Sequence, residues 1–220
     1  SSAASDVYKR QVLDALHPYY PQFQAAKNCL ETSLSNIGAL FHPSPILLNI
    51  GRIENDKNGY RYYWDGITPS VAVLVKAVDR ERMAVAHAFG VEVLSAEEWL
   101  RQSYDTYGDD LYQLLQHNQA YGDIQAPHTI QARYVTEDVP MSLVPISELG
   151  HIAGVSTPDI DSVITLTSTI YQRDFRGEGR NAVNLGIQEM TLEQVAHYFE
   201  TGKKETQPLL MGERKTEAAS

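Results

Sequence analysis

The sequence contains one cysteine, Cys29, so no intrachain disulfide can staple the chain and no second thiol completes a metal-binding pair. Among apolar and helix-forming neighbours, a lone cysteine is expected to be a buried structural thiol. Positive charge is also scarce. Eighteen Lys and Arg stand against 28 Asp and Glu, a formal charge of −10. Such a surface repels polyanions and argues against nucleic acid or an anionic membrane as partner, while leaving room for one local basic cleft. No apolar run nears the roughly 20 residues that span a bilayer; Val71 to Val75 is among the longest. No charged-then-apolar leader opens the chain, so the expected location is the cytoplasm. The seven histidines show neither H-x-x-x-H nor H-E-x-x-H spacing, which excludes the common zinc motifs, and no metal is expected. The G-x-S-x-G elbow of serine hydrolases is missing too.

Strand signals are few. Tyr60 to Trp64 and Ile130 to Val135 are the two segments whose pattern is compatible with extended chain, but no alternation of strand and helix patterns accompanies them. That lack decides the reading of Gly177-Glu178-Gly179-Arg180-Asn181-Ala182, which spells the dinucleotide fingerprint G-x-G-x-x-A. The fingerprint works only between a strand and a helix, where pyrophosphate meets the helix N-terminus. Here it follows a long helical pattern and reads as a charged loop.

Helix signals dominate. Phe23, Ala26, Leu30, Ile37 and Phe41 form one apolar stripe, predicting a single long helix that ends at His42-Pro43. Thr68-Pro69 reads as an N-cap with proline in the first turn, starting a helix that stops at Gly90. Ser95 to Glu98 and Thr191 to Gln194 are capping boxes, and Thr157-Pro158 repeats the cap-and-proline signal. Asn49 to Gly66 and Gln119 to Pro140 are loop-rich, the places where sites gather on a helical scaffold. The expectation is a mainly α, multi-helix domain over residues 12–200. Residues 1–11 (SSAASDVYKRQ) read as a non-native or disordered linker, and the polar segment 201–220 as a disordered tail.

His42 sits where a helix gives way to proline, able to face a cleft. Asn49 to Glu54 packs amide, guanidinium and carboxylate into a few residues, and Arg133 to Pro140 offers a cation and two acids, Glu137 and Asp138. Taken singly, each is as well explained by surface salt bridging. Together, however, several blocks fall in one order: Glu31-Thr32-Ser33-Leu34 with Asn36 and His42-Pro43, Asn49 to Glu54, Gly66 to Ala72, Arg133 to Pro140, and Gly154 to Pro158. In that order the chain, from about Ala25 to Gly186, resembles the C-terminal helical domain of the octopine and nopaline dehydrogenase family. One departure is Asp65, where the family favours Glu before the glycine.

The resemblance implies a fold like the C-terminal domain of 6-phosphogluconate dehydrogenase-like enzymes, with the N-terminal Rossmann domain absent from this chain. It implies reductive condensation of a 2-oxo acid, typically pyruvate, with an amino acid, using NAD or NADP held mainly by that missing domain. Carried over by motif, His42 and Asp138 form the catalytic pair and Arg133 contacts substrate; Asn36 and Thr68 are further candidate substrate-binding residues. The residue types suit that chemistry, because imidazole titrates near neutrality, a carboxylate fixes its tautomer, and guanidinium binds carboxylates through paired hydrogen bonds. The expected partners are small molecules, with a homodimer a possible assembly. Two other readings stay open. One is a ketopantoate reductase or glycerol-3-phosphate dehydrogenase type of helical half, relying on a lysine such as Lys27 beside Asn28. The other is a non-catalytic helical module for dimerisation or ligand binding.

Overall fold

The computed structural model describes residues 2–204, with side chains from residue 8 onward. The opening segment, expected as a non-native or disordered linker, is helical: α1 spans Ser2–Leu16, and its Lys9 ammonium reaches the carbonyl of Ala26 at 3.2 Å. Residues 205–220 of the expected tail lie outside the described residues.

The stripe from Phe23 does not make one helix. Phe23 is 48% exposed, and helix begins only at Cys29, where the Asn28 side chain accepts the N–H of Glu31 at 3.1 Å. α2 (Cys29–Leu34) stops, and α3 (Gly38–Phe41) resumes the same buried face. The break falls at Asn36, whose Oδ1 accepts the N–H of Gly38 at 3.0 Å. A short polar side chain here competes with the helical ladder for a backbone donor. Two successive helices can bury one stripe, and periodicity alone does not separate them from one. Cys29 is exposed rather than buried, with its Sγ 3.5 Å from the carbonyl of Phe199.

His42 joins α3 to α4 (Pro43–Leu48), with proline in the first turn where its missing N–H costs nothing. α5 (Ile50–Asn55) follows. Asn49 then ties the corner down, donating from Nδ2 to the carbonyls of Pro45 and Gly66 at 2.8 and 2.9 Å. Tyr62–Gly66 is helix α6 rather than strand, and Arg61 beside it pairs with Gln125 in an isolated antiparallel bridge. Aromatic residues favour strands only where a sheet exists to pack them, and none forms among the described residues.

The centre of the molecule is α7 (Pro69–Ala88), which starts under the Thr68 cap and ends at Gly90 in the left-handed region, φ +66°. It packs against α2, α3 and α4, then against α9 (Leu111–His117), α11 (Val144–Ala153) and α12 (Pro158–Tyr171). Val75, Val78 and Val85 are fully buried in that contact. α8 (Ala96–Ser103) has the reciprocal Ser95–Glu98 capping box, and α10 (Arg133–Thr136) leads into a π-helical turn, Val139–Leu143, before α11. The Thr157 hydroxyl does not cap α12. That end is capped from across the core by Glu81 of α7, whose carboxylate accepts the N–H groups of Asp159 and Ile160 at 2.9 Å each. Two short helices, α13 (Phe175–Glu178) and α14 (Ala182–Leu185), precede α15 (Leu192–Thr201), which opens with the Thr191–Gln194 capping box. The fold is thus mainly α, and among the described residues no helix is long and apolar enough to cross a membrane.

Candidate active site

The segment that continues α10 into the π turn carries Tyr134, Asp138 and Ser142, each four residues from the last. That spacing puts three side chains on one face, and the face meets the stretch from Asn36 to His42. The Asp138 carboxylate lies 2.8 Å from Nδ1 of His42. Tyr134 stacks flat on the imidazole, ring centroids 4.1 Å apart and planes 7° from parallel. The Ser142 hydroxyl accepts from Nδ2 of Asn36 at 2.9 Å. Below the ring, the fully buried Tyr62 donates its phenol hydrogen between the carbonyls of Phe41 and His42, 3.0 Å from each.

His42 and Asn36 open onto a cleft of about 340 Å³ whose other walls are Phe41, Tyr63, Trp99 and Tyr121. These aromatics brace one another: Tyr63 stacks on Tyr121 at 4.1 Å and meets Phe41 edge-on at 6.3 Å. Burial pushes the phenols of Tyr63 and Tyr121 well above their ordinary value, so both stay neutral. Gly38 keeps the cleft open beside the imidazole, since a Cβ there would stand 3.1 Å from Asn36 Oδ1 and 3.3 Å from His42 Nδ1.

Two walls of the cleft hang on one buried guanidinium that sequence reasoning missed. Arg82 of α7 is fully buried and bonds the carboxylate of Asp79, the carbonyl of Leu34 at the end of α2, and the carbonyl of Leu94 just before α8. Asp79 accepts the N–H of Ala96, the first residue of α8, at 2.7 Å. The signal was legible: Asp79 and Arg82 occupy buried positions among the valines of α7, where an unpaired charge would not be tolerated.

Other expectations land elsewhere. Thr68 is exposed and its hydroxyl accepts the N–H of Val71, so it serves the helix start and is not part of the cleft. The Arg133 side chain is 84% exposed, paired with Glu137, and does not line the cleft beside His42. Lys27 lies on a different groove, with Cys29 and Phe199. The Gly177–Ala182 motif, expected as a loop, runs from the end of α13 through a short turn at Gly179–Asn181 to the first residue of α14, and it braces the π turn. Arg180 N–H donates to the carbonyl of Pro140 at 2.9 Å, and a Cβ on Gly179 would come within 2.5 Å of that oxygen. Among the described residues no strand–turn–helix phosphate cradle exists, so they do not fit a dinucleotide site of that kind.

The model of the NAD/NADP octopine/nopaline dehydrogenase alpha-helical domain matches residues 25–171. The chain belongs to this family. An opine dehydrogenase of Arthrobacter sp. (strain 1C) is 44% identical over 179 residues, covering 81% of this chain and 50% of that protein. An octopine dehydrogenase of Mizuhopecten yessoensis is 27% identical over 183 residues, covering 74% and 46%. Among solved structures, octopine dehydrogenase with NADH and L-arginine shares the fold at a TM-score of 0.69 and 24% identity, covering 90% of this chain and 55% of that one. The chain therefore spans about half the length of the curated opine dehydrogenase relatives it matches.

Proposed function

We propose that this chain is the substrate-binding and catalytic half of an NAD(P)H-dependent opine dehydrogenase, condensing a pyruvate-like 2-oxo acid with the amine of an amino acid. The observation that carries the proposal is the convergence of His42 with Asp138, 96 residues away, beside a small aromatic cleft. Helix packing alone gives no reason for an imidazole and a carboxylate to meet there. Relatives support the same reading: the Arthrobacter protein is an opine dehydrogenase, and octopine dehydrogenase has been solved with NADH and L-arginine and with NADH and pyruvate.

In this reading the Asp138 carboxylate accepts Nδ1–H, leaving Nε2 as the basic nitrogen. Nε2 takes a proton from the ammonium of the amino acid, freeing the lone pair that attacks the oxo carbon. The resulting imidazolium, stabilised by Asp138, returns a proton to the hydroxyl that departs as water when the imine forms. Asn36 orients the substrates from the same stretch of chain, and the exposed Arg133 exchanges Glu137 for the carboxylate of the oxo acid. The described residues offer no phosphate cradle, so NAD or NADP is assigned mainly to protein outside these 220 residues; the nicotinamide supplies the hydride that reduces the imine. The lysine-dependent alternative gains nothing, because Lys27 lines another groove.

The test is to fuse the chain to the remaining half of the Arthrobacter opine dehydrogenase and follow NADH oxidation with pyruvate and a panel of amino acids. Turnover that needs both substrates, and that His42→Ala lowers by roughly 10²–10⁴-fold, is expected. Turnover that His42→Ala leaves within about twofold of wild type would sink the assignment.

A further inference from the structure

We infer that Tyr134 is a positioning residue for His42, holding the imidazole plane so that its free nitrogen stays aimed at the substrate; the inference rests on the His42–Asp138 pair proposed above. A histidine ring turns on a terminal torsion that is intrinsically broad, so backbone placement alone does not orient it. One hydrogen bond to Nδ1 fixes a point on the ring edge and still lets the plane swing about that bond. Tyr134 removes this freedom by covering one face of the imidazole at 4.1 Å and 7°.

The stack is itself held from both sides. Tyr134 and Asp138 sit one helical turn apart on the same face of one segment, so plate and hydrogen-bond acceptor move as a unit. Behind Tyr134, the fully buried Tyr62 packs at 5.1 Å, tilted by 54°, while its hydroxyl grips the His42 carbonyl. Backbone, ring edge and ring face are thus fixed by Tyr62, Asp138 and Tyr134 in turn. Tyr134 is only partly buried, which distinguishes it from an aromatic placed merely to fill the core. The electron-rich phenol face suits the chemistry as well, since the imidazole becomes a cation each time it carries the substrate proton.

The experiment is ¹H and ¹⁵N magnetic resonance of the His42 ring in the 220-residue chain, comparing wild type with Tyr134→Phe, Tyr134→Leu and Asp138→Asn at a pH where the ring is neutral. In the wild type the His42 ring protons should be displaced upfield by the stacked phenol and show cross-relaxation with Tyr134, and ¹⁵N shifts should report one dominant tautomer, protonated at Nδ1. Tyr134→Phe should preserve all three signatures. Tyr134→Leu should lose the upfield displacement and loosen the imidazole, read as a lower relaxation order parameter for its C–H bonds, with the tautomer kept; Asp138→Asn should lose the tautomer and keep the displacement. Wild-type ring protons without the displacement or the cross-relaxation would overturn the inference whatever the variants do. So would a Tyr134→Leu protein whose imidazole stays as ordered as in the wild type, or a Tyr134→Phe protein whose imidazole loosens. An Asp138→Asn protein with an unchanged tautomer would instead overturn the dyad beneath it.

Discussion

His42 and Asp138 are coupled by one short contact, and their variants should fail in different ways. In the fused enzyme, His42→Ala removes the proton carrier and should lower kcat by roughly 10²–10⁴-fold. Asp138→Asn keeps the shape but can present an amide N–H to Nδ1, favouring the wrong tautomer; losses of about 10⁴-fold accompany that change in other His–Asp pairs. Steady-state rates at saturating substrates measure both, and a kcat within about twofold of wild type for either would remove it from the chemistry. Arg133 should behave otherwise. It and Glu137 are exposed, and such pairs add little stability, so Glu137 is readily exchanged for another carboxylate. Arg133→Ala should raise KM for the oxo acid with kcat nearly unchanged, and an unaltered KM would show that the guanidinium stays with Glu137. At this scale the sequence singled out polar residues beside a helix break, and in the structure His42 meets Asp138 and shares a cleft with Asn36. Thr68 misled because a hydroxyl before proline serves a helix cap equally well. Tyr62, Tyr134 and Trp99 stayed invisible, since an aromatic ring takes its role from partners far away in the chain.

Two elements determine where the residues of the site stand, and each can be tested without activity. Gly179 packs its bare α-carbon against the Pro140 carbonyl of the π turn, and an added methyl would strike backbone there and at Phe175. Gly179→Ala should cost about 1–3 kcal/mol, the usual penalty of overpacking, read as a lower urea midpoint. Wild-type stability in that variant would mean the loop does not brace the turn behind Asp138. Arg82→Met should cost about 3–5 kcal/mol, because it leaves the Asp79 carboxylate buried and unpaired. The double variant Asp79→Leu with Arg82→Met should recover much of that loss, which thermal unfolding would show. Helix starts were the elements best anticipated, since Ser95, Thr191 and Thr68 form the cap bonds their sequences announce. Helix continuity was not: the interruption at Asn36 depends on a side chain choosing the Gly38 N–H, a local competition that apolar spacing does not register.

Taken whole, the molecule joins an acidic surface to a small aromatic cleft, with no phosphate cradle among its described residues. We predict that the 220-residue chain does not bind NADH tightly; calorimetry giving a micromolar Kd would place the nucleotide site on this domain. The mainly helical class was legible because caps and 3.6-residue periods recur along most of the chain. The arrangement of the helices around α7 was less so, because it relies on bonds that cross the core, such as Glu81 capping α12 from another helix.

The Arg82 staple has a bearing on how this cleft can diversify. Because one guanidinium is bonded to both the Leu34 and Leu94 carbonyls, the spacing between the Asn36 wall and the Trp99 wall is set inside the core. Widening the cleft by sliding α2 away from α8 would break those bonds together, so the gap is not a parameter that surface substitutions can tune. If amines bind there as proposed, new ones would be accommodated by exchanging what projects into a fixed gap, at Tyr63, Trp99 and Tyr121, and descendants of this scaffold would differ in their upholstery while keeping its frame.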